Sequence, residues 1–487
     1  MKIVVVGSGT AGLIAALQIK SVIKTADITI LSSGQIPIIG VGEGSTEHWT
    51  AFERLVNFDR TKMVESCKAT YKFGIRFKNW RVKPFDDYFH SVGHQGYMVG
   101  TFNSGYAVSA SENRQLTPMG QNPLIREGFV ADINDNHRQT NQFHFDTFAL
   151  NAFLSEECRA RKITFVDGLF KDVVRHSETG FITHLITDSG FIDTDFVIDA
   201  TGFRREVFLK VAKPDWVSFK KYLPSDSAIA TPTPARADGK IMPYTMAEAL
   251  SAGWRWEIPT QERRGNGYVY SSSFISDDEA ISELSKAIGY EIENPRVFKF
   301  EPGYIKNPWV FNCCVVGLSS SFVEPLEATS IAAAIQQSVA LTGFLPTSHL
   351  ATEKSRAVYN RAMSSMMENI LVMIAMHYVS DRDDSPMWRE QARMPLPPLL
   401  EEFMDVISLR GPMDLDIPRC GFELFGSPHF WHVAQGQGLL NTSNLNKTID
   451  ATDSRMASVM SMWKDMSERR RTPVIPHRDA LTKWKAR

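Results

Sequence analysis

Three glycines open the chain at a spacing that serves phosphate chemistry. Gly7, Gly9 and Gly12 stand as G-x-G-x-x-G within KIVVVGSGTAGLIAALQI. An apolar run precedes them and an amphipathic run follows, so the motif predicts strand, tight turn and helix. Gly7 permits the turn, Gly9 lets backbone approach a pyrophosphate, and Gly12 lets the helix pack on the strand. Thr10 and Ala11 begin that helix, whose N-terminus carries partial positive charge toward the phosphates. The reading is a dinucleotide site. The next strand, DITILSS, ends on Ser32 and Ser33 where an Asp or Glu usually meets ribose hydroxyls, which weighs against NAD.

Other reactive residue types are ambiguous on pattern alone. In ATYKFGIRFKNW, residues 69–80, Tyr71, Phe73, Ile75 and Phe77 alternate with Lys72, Gly74, Arg76 and Lys78. That is the period of one half-buried strand, and alternation by itself turns all three cations to water. Glu327 precedes the helix-like run TSIAAAIQQSVAL, where a carboxylate complements a helix N-terminus. Trp254 and Trp256 in GWRWEIPTQ share one strand face, and core packing is the plain explanation for such a pair.

Composition excludes several classes. A net charge of -2 points to neither nucleic acid nor an anionic membrane surface. The apolar run ILVMIAM is too short for a bilayer, and the N-terminus enters a strand directly, so a soluble, cytoplasmic protein is expected. Five cysteines at irregular spacing suit buried thiols in a reducing compartment, with no metal site.

Two downstream elements bear on the dinucleotide. DFVIDATGFRRE places Asp199, Ala200, Thr201 and Gly202 after an apolar strand and resembles the ATG-type motif of two-domain FAD enzymes. WVFNCCVVGLSSSF has the form of the strand and loop, here with Leu318, that close over flavin in that class. With the N-terminal fingerprint they argue for FAD. No second strand–G-x-G-x-x-G–helix unit is present, so reduced flavin has to come from elsewhere.

GWRWEIP downstream of a flavin fingerprint resembles the W-x-W-x-I-P signature of flavin-dependent halogenases, the tryptophan halogenase family. GVGEGST at 40–46 is similar to that family's flavin-covering loop, the segment at 69–80 to its lysine strand, SSSFVEPLEATSI at 319–331 to its glutamate and halide segment, and HYVSDRDDSPMWR at 377–389 to a late-helix motif. The resemblance implies FAD as FADH2, supplied by a separate NAD(P)H-dependent flavin reductase, with O2 and halide as co-substrates. Halide attacks the distal oxygen of a flavin hydroperoxide. The hypohalous acid formed reaches Lys72, which hydrogen-bonds it or becomes a haloamine. An electron-rich indole or phenol attacks, and Glu327 stabilises the ring cation and helps remove its proton. Glu324 has no such role.

The same resemblance adds Ser32, Val41, Gly44, Gly202, Leu318 and Ile331 to Gly7, Gly9, Thr10, Ala11 and Gly12 as FAD contacts. It gives Thr329 and Ser330 to the halide, His90 to a ring-stacking place beside substrate, and Trp254 and Trp256 to a wall between flavin and substrate. This sequence departs from the family at several positions. Ala328 and Ser330 stand where the family has Ser and Gly, which points to bromide or iodide over chloride. Val92 replaces an aromatic. Cys420 replaces an ammonium-binding carboxylate, and Phe430 and Trp431 stand in place of paired tyrosines on the substrate wall, so free tryptophan is not the expected substrate.

The elements that position these residues read as an α/β fold: a Rossmann-like FAD-binding domain of the two-domain flavin monooxygenase type with a mainly helical C-terminal region. Residues 1–345 form an interwoven FAD and halide/catalytic module with mixed sheet, and 346–487 a substrate-covering region. ATPTPARADG at 230–239 is expected as loop, RMPLPPLLEEF as a boundary, and the methionine-rich runs at 356–379 and 455–470 as core-packing helices. Partners are the reductase and a small aromatic, and a homo-oligomer is compatible with the sequence. A single-component FAD monooxygenase is the alternative reading, and a non-catalytic flavin-binding protein the second alternative.

Overall fold

The structure is a computed structural model that describes residues 1–37, 43–82, 87–91, 125–131, 142–417, 420–441, 443–444, 447 and 474–482. Val41, Val92 and the 455–470 run lie outside the described residues. The strand Lys2–Val6 is apolar on both faces, as a strand covered from both sides must be. It sits inside a six-stranded sheet, ordered Thr164–Asp167, Asp27–Ser32, Lys2–Val6, Phe196–Asp199, Cys313–Val315, Trp309–Val310. All of its pairings are parallel except the last. The helix Thr10–Val22 packs between the helices Thr147–Ala160 and Thr329–Thr342. This is the expected α/β architecture of the flavin monooxygenase type.

Gly7 and Gly12 are fixed by close approach. A Cβ on Gly12 would stand 2.1 Å from the Gly7 carbonyl oxygen, and one on Gly7, at φ +108°, would stand 2.4 Å from the Ala200 oxygen. Gly9 differs, since nothing lies within 4 Å of its Cβ position.

A second sheet runs Arg296–Lys299, Ser227–Pro234, Arg263–Tyr270, Gly253–Pro259, Thr245–Leu250, Gly74–Lys78, Asp87–Ser91. It corrects two expectations. Residues 230–234 are strand, not loop, and pair with Arg263–Gly267. Pro232 and Pro234 are tolerated because the outer strand pairs only with Ser227–Ala230, so the prolines lie where that edge needs no N–H. The 69–80 segment is two strands, not one. Thr70–Lys72 pairs antiparallel with Gln142–Phe145, which also pairs with Glu43–Gly44, while Gly74–Lys78 joins the seven-stranded sheet. The chain changes sheets at Gly74, at φ +153°, where a Cβ would stand 2.2 Å from the His90 oxygen.

After residue 346 the described elements are mainly helical. In the 25-residue helix Glu353–His377, Met363, Met366, Met367, Met373 and Met376 are buried core residues. Near the end of the chain, Val474–Pro476 pairs with Phe129–Ala131, and His477 stacks on Tyr71 and accepts its backbone N–H at 3.0 Å. The C-terminal segment thus braces the Lys72 strand. No helix among the described residues is long and apolar enough to cross a membrane. All five cysteines are free thiols, four of them buried.

Gly12→Ala is expected to overpack the strand–turn–helix junction and cost about 1–3 kcal/mol. Gly9→Ala should leave the melting temperature near wild type and weaken flavin binding. Thermal melts and flavin titration of the two variants check both outcomes.

Candidate active site

The open side of the first turn is where a flavin nucleotide fits. Gly9 caps the helix Thr10–Val22 with no side-chain hydrogen bond and no acidic residue in the first turn, so its N–H groups are left for an anion. The open space at Gly9 admits a pyrophosphate. Asp199 ties this floor together. Its Oδ1 accepts from Thr201 N and Oγ1 and from Ser319 Oγ, and its Oδ2 from the N–H groups of Val207 and Phe208. Gly202, at φ +70°, has open space where a side chain would be. Leu318, Thr329 and Ser330 line one cavity with Gly317 and Met367, while Ile331 is buried and does not line it. Ser32 ends its strand beside Asp167. The residues present fit FAD.

Lys72 is 1% exposed, against the alternation reading, because its strand belongs to the small sheet and is covered on both sides. Its Nζ donates to the Ser45 carbonyl at 2.8 Å. Burial pulls the ammonium down to about 8, against the opposing attraction of Glu327 and Glu47. Gly44 adjoins it: a Cβ there would lie 3.5 Å from Lys72 Nζ and 3.6 Å from Ala328 Cβ. The covering loop, the lysine strand and the glutamate turn therefore meet at one point. Arg76 and Lys78 instead pair with Glu127 and Glu248.

Glu327 closes a short 3₁₀ turn begun by Pro325, and Ala328 at φ 55° redirects the chain into the helix Thr329–Thr342. That helix has no side-chain cap, which leaves the N–H groups of Thr329 and Ser330 suited to an anion. Glu327 is 3% exposed, and its Oε1 lies 2.9 Å from His90 Nδ1 and 2.8 Å from His377 Nε2. Burial alone would raise this carboxyl. The charge of His90 and hydrogen bonds from both rings outweigh it and hold the group well below the usual carboxylate range. Tyr88 in turn bonds His377 Nδ1 at 2.6 Å.

Glu324, three residues earlier, has the opposite environment. Its Oε1 accepts from Trp254 Nε1 at 3.1 Å and Tyr378 Oη at 2.8 Å, and its Oε2 has no partner among the described residues. Burial without a cation pushes it up to about 7. Trp254 and Trp256 are buried on an inner strand of the large sheet, 6.1 Å between ring centroids. Trp256 lies over Gly267, its cross-strand neighbour, where a Cβ would stand 2.1 Å from the ring.

His90 is bonded to Glu327 on one side and to His429 Nδ1, at 3.1 Å, on the other. On the helix Ser427–Gly436, Phe430 packs on Phe403 at 4.9 Å, and Trp431 donates to the Pro412 carbonyl over Gly411. His429 and His432 take the side facing His90. His429 Nε2 reaches Glu47 Oε1 at 3.1 Å. Cys420 is half-buried beside Glu423, which accepts its backbone N–H. Sequence reasoning missed Glu47, His377, His429 and His432. His429 and His432 did carry a signal, an i, i+3 pair in HFWH that one helix face presents together.

A carboxyl held at about 7 stays protonated in the fold between its usual 4.5 and 7 while the unfolded chain ionises. Stability from this group is therefore full below 4.5 and lost as pH rises through 7. Glu324→Gln should match wild type in urea unfolding at pH 4.5 and exceed it at pH 8, by roughly 3 kcal/mol.

A family model described as tryptophan halogenase matches residues 2–453. The tryptophan 7-halogenase RebH of Lentzea aerocolonigenes is 31% identical over 86% of this chain and 83% of its own. The 7-chloro-L-tryptophan 6-halogenase KtzR of a Kutzneria species is 32% identical over 82% and 83%. The solved structure of BrvH, a flavin-dependent halogenase from a Brevundimonas species, superposes with a TM-score of 0.85 at 27% identity, covering 99% of this chain and 98% of the other. Lys72 and Glu327 thus meet in a fold shared along nearly its whole length with enzymes of one kind, and the chain belongs to the tryptophan halogenase family of flavin-dependent halogenases.

Proposed function

We propose that this enzyme halogenates an electron-rich aromatic of the indole or phenol type, other than free tryptophan, with Lys72 and Glu327 as its catalytic pair. The observation that carries this is a buried ammonium and a buried carboxylate converging beside the covering loop and an uncapped helix N-terminus. Bound FAD, reduced by a separate NAD(P)H-dependent reductase and reacting with O2, supplies the oxidising equivalent that turns halide into hypohalous acid. The N–H groups of Thr329 and Ser330 hold the halide. Trp254 and Trp256, backed by Glu324 and Gly267, form a rigid wall that keeps substrate from flavin. The Lys72 ammonium, desolvated and anchored on the Ser45 carbonyl, hydrogen-bonds the electrophile and aims it at the ring. Glu327, held ionised by two histidines, stabilises the ring cation and takes the proton leaving the substituted carbon.

Cys420 at the place of the ammonium-binding carboxylate supports a substrate other than free tryptophan, and Ala328 and Ser330 support bromide or iodide over chloride. The wall role expected of Phe430 and Trp431 is better filled by His429 and His432, which face His90. Residues 1–345 are read as the flavin and catalytic module and 346–487 as its substrate cover. The cover contributes His377 and His429 to the site and His477 to the lysine strand.

Purified enzyme with FAD, NADH, a flavin reductase and catalase, offered indoles, phenols and tryptophan with each halide in turn, should give halogenated product by mass spectrometry. Lys72→Ala should lower product at least a hundredfold, and Glu327→Gln by about 10²-fold, the scale of a lost electrostatic or proton-transfer group. Oxygenated product formed from NADPH without the reductase would overturn the reading in favour of a single-component monooxygenase. Because the donor is the ammonium form, turnover should fall as pH rises through about 8. A pH–rate profile that rises there would instead favour a neutral amine and a haloamine.

A further inference from the structure

Glu47, His429, His90 and Glu327 form one buried line of hydrogen bonds, drawn from four separate parts of the chain. The contacts are 3.1 Å from Glu47 Oε1 to His429 Nε2, 3.1 Å from His429 Nδ1 to His90 Nε2, and 2.9 Å from His90 Nδ1 to Glu327 Oε1. A carboxylate only accepts, so the ring nitrogens facing Glu47 and Glu327 both carry protons. The middle contact joins two ring nitrogens and needs one further proton between them. Two imidazoles then hold three protons and one positive charge between two carboxylates, whichever ring the shared proton rests on. In either arrangement His90 Nδ1 is an N–H.

We propose that His429, braced by Glu47, is a positioning residue that holds the far nitrogen of the His90 ring and shares with it the positive charge facing Glu327. Without His429, the Glu327 carboxylate still keeps a proton on His90 Nδ1, but the ring loses its partner at Nε2 and the line loses its extra proton. The ring is then held from one side, and Glu327 faces a neutral imidazole in place of a charged pair. His377 does not substitute, because it already donates to the same oxygen from the far side. The Glu47 attraction supports the charged line by raising the His429 imidazole against the effect of burial. Other titratable groups face the line: His48 beside Glu47, His432 on the His429 helix, and Lys72, His377 and Tyr88 around Glu327. None of them lies between His90 and His429, so the shared proton of the line sits at that contact. The inference rests on Glu327 being the carboxylate that serves the substrate.

The test is NMR of histidine ring nitrogens and glutamate carboxyls in the full-length protein, labelled at those atoms, for wild type, His429→Ala and His429→Gln. Turnover of indole with bromide is followed alongside from pH 5 to 9. Wild type should show His90 protonated at Nδ1 and one further proton shared between its Nε2 and His429 Nδ1. His429→Ala should show a neutral His90 with no proton at Nε2, a Glu327 carboxyl titrating about one unit higher, and an acid limb of the rate profile displaced upward by the same amount. His429→Gln, whose amide again offers His90 Nε2 a donor but no charge, should restore the Nε2 hydrogen bond and leave the Glu327 titration displaced. Melting curves and flavin binding identify a variant that has failed to fold, in which case Glu47→Gln, which weakens the brace and leaves both rings in place, is read by the same signals and should show a smaller shift in the same direction. A His90 signature and Glu327 titration unmoved in a folded His429→Ala overturn the proposal, whatever the rate does. Wild type that shows the shared proton and its loss in His429→Ala, yet halogenates nothing, keeps the positioning role and removes the catalytic reading on which it rests.

Discussion

Burying an ammonium and a carboxylate in the same interior is the constraint to which much of this structure answers. Neither Lys72 nor Glu327 is stable in apolar surroundings unless partners replace its water. The carboxylate is given two histidines on one oxygen, and the ammonium is given a main-chain carbonyl. Each partner then needs holding in turn. Tyr88 bonds the far nitrogen of His377, His429 bonds the far nitrogen of His90, and His477 pins the backbone beside Lys72. The polar network therefore spreads from two groups into the small sheet, the seven-stranded sheet and the helices after residue 346.

That spread explains why the site sits where sheets change hands. Lys72 ends a strand of the small three-stranded sheet, and two residues later the same chain enters the seven-stranded sheet. The switch needs Gly74, because the carbonyl of His90 occupies the space of any side chain there. His90 is thus placed by the residue that frees Lys72 to turn the other way. Flavin floor and glutamate turn are held together by packing of the N-terminal helix on the Thr329–Thr342 helix, and the lysine strand by its pairing with Gln142–Phe145.

Two glutamates three residues apart show how strongly surroundings decide protonation. Glu327 meets imidazole rings and stays ionised. Glu324 meets an indole N–H and a phenol, has an oxygen without a partner among the described residues, and is pushed up to about 7. Burial is common to both, and the presence of a cation is the difference. The neutral carboxyl is nonetheless useful, since it fixes the Trp254 indole, against which the Trp256 ring packs.

The local sequence by itself determined the glycine turn, the parallel strands around it and the methionine-rich helix, because those depend on short-range spacing and on the period of apolar residues. It also determined the family, since five short segments in order are enough to show a resemblance. It misjudged 230–234, where prolines spell loop unless the neighbouring strand is known to end early, and it ran Lys72 and Lys78 along one strand because period two continues through a change of sheet. Which face of the 427–436 helix meets the site was not legible either: Phe430 and Trp431 carry the larger apolar area, so packing draws them toward Phe403 and Gly411 and leaves His429 and His432 to the interior polar line. Only tertiary structure decided the partners of Glu327, because hydrogen bonds among residues 47, 90, 327, 377 and 429 join positions that no local period relates.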